Sequence, residues 1–224
     1  MKISNRFDPF GLLEQVVPAK RLHWIIRAAA LAVVLGFLVV RVRQYDDFLF
    51  KPLWAVETLL YVVLAIAFAV RSDPVDRSRG FAEIIVPLIG GVLPFALLTT
   101  QPGAWIRGNQ FLLTAVFCWM TLATGFTAWS IWTLRRSFSI TVEARVLVTR
   151  GPFRWVRHPV YLGEILAAVA VVAWRWSLLN VAIFILFVII QLLRARREES
   201  KLLRTFPEYR SFSTRSRWFW KMPY

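Results

Sequence analysis

Apolar runs about twenty residues long alternate with short polar stretches along most of this chain. They fall near 23–42, 52–70, 81–100, 109–134, 159–176 and 177–194, and roughly twenty mainly apolar residues is what a helix needs to cross a bilayer. The pattern predicts about six hydrophobic helices. Only Trp174-Arg175-Trp176-Ser177 divides the last two, which predicts a helical hairpin. The third run contains Pro87, Gly90, Gly91 and Pro94, so it is expected to be kinked and closely packed. Trp24, Trp54, Trp105, Trp132, Trp174 and Trp176 fall near predicted helix ends, as amphipathic rings at the headgroup level should. The first run ends in no small-residue cleavage site and reads as a retained anchor.

Composition supports lipid as the solvent. Of 224 residues, 58% are hydrophobic and 18% charged, too apolar for an ordinary soluble domain. The formal charge of +15 raises nucleic acid as a partner. The basic residues lie between apolar runs rather than on a water-facing scaffold, so membrane lipids are the better partner and no nucleic acid is expected. When the ends and loops are counted alternately, 22 lysines and arginines fall on one side and 5 on the other. Both termini are therefore expected to be cytoplasmic, on the inner membrane if the source is bacterial. With one cysteine, Cys118, and two distant histidines, His23 and His158, neither an internal disulfide nor a metal site is expected.

The dense polar sequence lies in two stretches, 135–164 and 194–224, joined by the hairpin and so expected to meet. The first holds two β-favouring pieces, 139–142 and 146–149, around Glu143-Ala144-Arg145, then a turn at Gly151-Pro152. Pro159 suits the first position of a helix, which makes His158 its cap and places Tyr161 and Glu164 in the first turns. A carboxyl at Glu164, inside an apolar helix, needs a cationic partner in the protein interior. In the second stretch Leu192, Ala195, Glu199, Leu202 and Phe206 share one helical stripe, which Glu199 interrupts. Glu198 has local partners in Arg194 and Lys201, and Glu199 has one in Arg196. Of the two, Glu199 is the better candidate for a ligand. Glu57 and Glu83, near predicted helix ends, carry no chemical role.

The segment Gly-Pro-Phe-Arg-Trp-Val-Arg-His-Pro-Val-Tyr-Leu-Gly at 151–163, with Arg-Glu-Glu at 197–199 and Tyr209, resembles the isoprenylcysteine carboxyl methyltransferase and phospholipid methyltransferase superfamily. The resemblance covers about the last 90 residues. It implies an all-α polytopic membrane helix bundle with N-terminal transmembrane helices over 1–134 and a C-terminal catalytic region over 135–224. The activity implied is an integral membrane methyltransferase that uses S-adenosyl-L-methionine on a lipophilic small molecule or lipid. The cofactor-binding residues implied are Trp155, Arg157, His158, Pro159, Tyr161, Leu162, Gly163, Glu164, Glu198, Glu199 and Tyr209. Arg154, Arg197 and Arg204 are candidates by location for holding the acceptor. Phe212 stands where family tails often carry a second tyrosine, and the basic aromatic tail 216–224 suits anionic headgroups. Membrane sterol and steroid reductases, which use NADPH, look similar in architecture, but Val160 stands where their signature has asparagine and the Arg-Glu-Glu favours the methyltransferases. A non-catalytic membrane protein keeping the same pocket is the third reading.

Overall fold

The computed structural model describes residues 19–76, 78, 80–106 and 108–216. All six apolar runs are helical in it: α1 (Ala19–Arg43), α2 (Lys51–Val70), α3 (Gly80–Ala96), α4 (Gln110–Leu134), α5 (Pro159–Trp174) and α6 (Leu178–Thr205), followed by the short α7 (Tyr209–Arg215). Four helical stretches, Lys51–Val70, Ala82–Thr99, Gln110–Ser137 and Leu178–Thr205, are long and apolar enough to cross a membrane, and α5 is a shorter apolar helix. The chain is an all-helical polytopic membrane bundle. The basic aromatic tail after Ser216 lies outside the described residues.

Local chemistry marks the starts of these helices. Asn109 accepts from Leu112 N at 3.0 Å to cap α4, and Ser177 accepts from Asn180 N at 3.1 Å to cap α6. Prolines occupy the first turns of α2 and α5, where a missing N–H costs nothing. His158 is the N-cap of α5 by position, as expected, but its ring makes no capping hydrogen bond.

Small residues set the helix spacings. At Gly163 of α5 an added Cβ would sit 2.2 Å from Thr127 Oγ1 and 3.1 Å from Thr127 N of α4, so these two helices are in near backbone contact there. The close packing expected of α3 is found at Gly90, where a Cβ would lie 2.9 Å from Ile190 Cγ2 of α6. Gly91 meets nothing and borders a cavity.

Contacts between loops gather at two ends of the bundle. At one end Ser72 N donates to Arg136 O at 2.9 Å, Val142 N to Glu83 O at 3.1 Å, and Lys201 Nζ reaches Glu83 at 2.6 Å and Val142 O at 2.9 Å. At the other end Gly103 N donates to Trp174 O at 2.9 Å, and Asn180 Nδ2 donates to Leu97 O at 3.1 Å and Thr100 Oγ1 at 2.8 Å.

Two local expectations are corrected. The β-favouring pieces 139–142 and 146–149 form no strand among the described residues; the only bridge there joins Ala144 to Asp76. In the first piece Arg194 and Lys201 of α6 donate to Ile140 O and Val142 O, and in the second Ser137 Oγ donates to Val146 O, so tertiary and local contacts override β propensity. Lys201, expected beside Glu198, is 1% exposed and turned to Glu83 of α3.

Because Thr127 is too short to swing aside, Gly163→Ala should force α4 and α5 apart. The expected cost is about 1–3 kcal/mol, read as a lowered midpoint of thermal unfolding in detergent, with Gly91→Ala as the tolerated control.

Candidate functional site

Beyond its apolar part α6 continues as Arg194-Ala195-Arg196-Arg197-Glu198-Glu199, one uninterrupted helix that carries two adjacent carboxylates past the start of α5. Neighbouring residues on a helix point about 100° apart, so the two acids meet different partners. Tyr161 Oη donates to Glu198 Oε1. Glu199 pairs with Arg157 at 3.0 Å and lies 3.3 Å from His158 Nε2 and 3.5 Å from Tyr209 Oη. His158 Nδ1 is 3.7 Å from Glu198, so one imidazole lies between both acids. Tyr161 stacks on that imidazole, with ring centroids 5.6 Å apart and planes 8° from parallel, and the Arg194 guanidinium sits 4.6 Å from the same tyrosine ring.

Proline chemistry explains how the Arg157-His158 pair reaches α6. Gly151 adopts φ +58°, a left-handed turn that a side chain would strain, and a Cβ there would also press on Thr133 at 3.0 Å. The turn leads into a single 3-10 turn at Gly151–Arg154, which delivers Arg157 and His158 to the start of α5. Both are buried although polar, and such burial is tolerated only with partners.

A cavity of about 340 Å³ opens beside this cluster. Its polar part is bordered by Arg157, His158, Tyr161, Glu164, Arg194, Glu198 and Tyr209, and its aromatic wall by Phe138, Phe153 and Phe212. Its apolar part is bordered by Val34 of α1, Leu60, Leu64 and Phe68 of α2, and Ile131 and Leu134 of α4. Most of the segment 137–148 also borders it. The carboxyl of Glu164 accepts from the Gln191 amide, whose oxygen takes Arg194 Nη1 at 2.7 Å; this is the interior cationic partner that an acid in an apolar helix requires.

The structure thus brings together Arg157, His158, Tyr161, Glu164, Glu198, Glu199 and Tyr209. It orders the two acids differently from the sequence reading: Glu198 borders the cavity, while Glu199 stands behind, holding Arg157, His158 and Tyr209. Arg196, its expected partner, is exposed. Pro159 and Gly163 are buried and half-buried Leu162 lies between them; all three shape α5 and none borders the cavity. Trp155 is 59% exposed and packs edge-on against Trp129 at 6.1 Å, away from the cavity. Arg154 and Arg204 are exposed, and Arg197 donates to Ala82 O at 3.4 Å. The arginines that do border the cavity are Arg145, Arg157 and Arg194. Sequence reasoning missed Arg145, Phe153 and the α2 face; only Phe153, inside the Gly-Pro-Phe turn, carried a local signal. Phe212 borders the cavity although it lacks the hydroxyl that family tails often place there, its ring tilted against Tyr209 at 5.7 Å.

Residues 111–204, from the start of α4 almost to the end of α6, match the model of the isoprenylcysteine carboxyl methyltransferase (ICMT) family. The match covers 94 of the 224 residues, and that segment is similar to this family. The match takes in the Arg-His-Pro-x-Tyr motif and both glutamates, while Tyr209 and Phe212 lie beyond it. No curated protein and no solved structure matches the chain.

The Arg157–Glu199 pair is shielded from water, with side chains 6% and 13% exposed. A double-mutant cycle of Arg157→Met and Glu199→Gln, read by unfolding in detergent, should give a coupling of about 1.5–3 kcal/mol. Additive effects would show that the pair contributes nothing as a pair.

Proposed function

We propose that this protein transfers a methyl group from S-adenosyl-L-methionine to a lipophilic acceptor, with both termini and the site on the cytoplasmic side of the membrane. The observation that carries the reading is a single cavity joining the carboxylate cluster of the family segment to an apolar face built by α1 and α2. A polar, charged donor and an oily acceptor need such a cavity with two chemistries. Its volume of about 340 Å³ is in the range of small-molecule sites.

The residues present fit the cofactor. Glu198 is 23% exposed at the cavity edge and held through Tyr161, so it can accept hydrogen bonds from ribose hydroxyls or an ammonium. Arg157 and the first N–H groups of α5 suit a carboxylate. Phe153, Phe212 and Tyr209 offer ring surface to an adenine or a sulfonium. When bound, S-adenosyl-L-methionine supplies an electrophilic methyl group on a cationic sulfur. The chain's part is then to align, to exclude water and to match charge, which requires no protein nucleophile. Tyr161, packed between His158 and Arg194, acts by fixing the Glu198 carboxylate rather than by lying against the cofactor. Glu199 serves the site from behind, keeping Arg157 and His158 in place. The cavity's Val34, Leu60, Leu64 and Phe68 take the apolar part of the acceptor.

Detergent-solubilised protein incubated with methyl-labelled S-adenosyl-L-methionine and total membrane lipid should place label in an organic-extractable product. Glu198→Gln should lower kcat/KM at least about tenfold, and Tyr161→Phe should lower it by less. Label confined to the aqueous phase with every lipid extract, together with tight NADPH binding, would reverse the assignment in favour of the reductases.

A further inference from the structure

At the apolar end of the cavity, one face of α2 carries Leu60, Leu64 and Phe68, all bordering the cavity, and then Arg71 at the helix C-cap. The spacings of four, four and three residues keep all four positions on one side of the helix. The Arg71 guanidinium lies 5.6 Å from the Phe68 ring. Arg145, which itself borders the cavity, is brought beside it by the bonds of Val75 N to Ala144 O at 2.8 Å and Ala144 N to Asp76 O at 2.9 Å. A row of oily side chains therefore ends at two guanidinium groups.

Both arginines are buried, at 7% and 3% exposure, and neither is satisfied: Arg71 Nε and Nη2, and Arg145 Nε and Nη1, have no hydrogen-bond partner. Buried guanidinium nitrogens without acceptors are costly, and two like charges side by side add to that cost. The one buried carboxylate nearby, Glu143, is already committed to Arg145 at 2.5 Å, Ser139 Oγ at 3.0 Å and Ser78 Oγ at 3.3 Å. Asp73, exposed, has its own interactions, and Arg27 adds another positive charge through its bonds to Phe68 O and Ala69 O. Burial first, and then the charge of Arg145, lower the pKa of Arg71 to about 10 against the opposing pull of Glu143 and Asp73, so it stays charged at neutral pH while its Nε and Nη2 have no acceptor.

We propose that Arg71 and Arg145 form an anion subsite that takes the carboxylate or phosphate headgroup of an amphiphile whose chain lies along Leu60, Leu64 and Phe68. Arg71 stands outside the family-matched segment and Arg145 inside it, so the subsite joins that segment to the part of the chain it leaves unread. The headgroup would replace the missing acceptors with charge-assisted bonds. The inference rests on the methyltransferase reading only for the amphiphile's role as acceptor; the binding site itself does not require it.

The test is calorimetric titration of the full chain in a maltoside micelle with dodecyl phosphate, dodecanol and S-adenosylhomocysteine. Dodecyl phosphate should bind at least about tenfold more tightly than dodecanol. Arg71→Gln should remove most of that difference, and Arg71→Lys should retain much of it. S-adenosylhomocysteine affinity should not change in either variant, which also reports that the fold and the carboxylate cluster are intact. Equal binding of phosphate and alcohol, or an unchanged preference in Arg71→Gln, overturns the subsite. Loss of S-adenosylhomocysteine binding in Arg71→Gln with the amphiphile preference intact overturns it too, by assigning the arginine to the cofactor's carboxylate. If wild type shows the phosphate preference but binds no S-adenosylhomocysteine, the subsite stands and the methyltransferase reading fails.

Discussion

Charge at the edge of a bilayer has to be matched inside the protein, and the adjacent carboxylates Glu198 and Glu199 set that requirement for the rest of the site. Glu199 is met by Arg157 and lies close to His158 and Tyr209, while Glu198 is met by Tyr161. These partners come from the start of α5 and from α7, so matching two charges on one helix draws three elements together. The Gly151 turn, the proline at the first position of α5 and the uninterrupted length of α6 all serve this end. A second level of matching lies deeper, where Glu164, Gln191 and Arg194 form a chain that leaves no bare acid against lipid.

Much of this was legible because the bilayer imposes its thickness on sequence. Six of the helices were visible as apolar runs, and four of them are long and apolar enough to cross a membrane, a length that lipid sets whatever the fold around it. Tyr161, His158 and the two glutamates were visible as polar residues grouped where apolar sequence stops. The apolar side of the cavity was not. Leu60, Leu64 and Phe68 border a cavity, but a leucine beside a ligand and a leucine beside a lipid tail look alike in a sequence. Arg71 was equally hidden, because an arginine just past a hydrophobic run is also what the topology of charges requires.

Other readings failed for reasons of distance along the chain. Lys201 stands three residues from Glu198, so local spacing pairs them, yet its ammonium is turned to Glu83, 118 positions away. The pieces 139–142 and 146–149 have strand-like composition, but side chains of α6 occupy carbonyls of the first and Ser137 a carbonyl of the second, where a ladder would need them. Trp155 sits in the middle of the family motif and still faces outward, because the 3-10 turn before α5 directs Arg157 and His158 inward instead.

The bonds from Arg194 to Ile140 and from Lys201 to Val142 tie one wall of the cavity to the helix that also bears Glu198. Wall and carboxylate thus hang from the same helix. Any displacement of α6 would therefore shift one wall of the chamber and its carboxylate together.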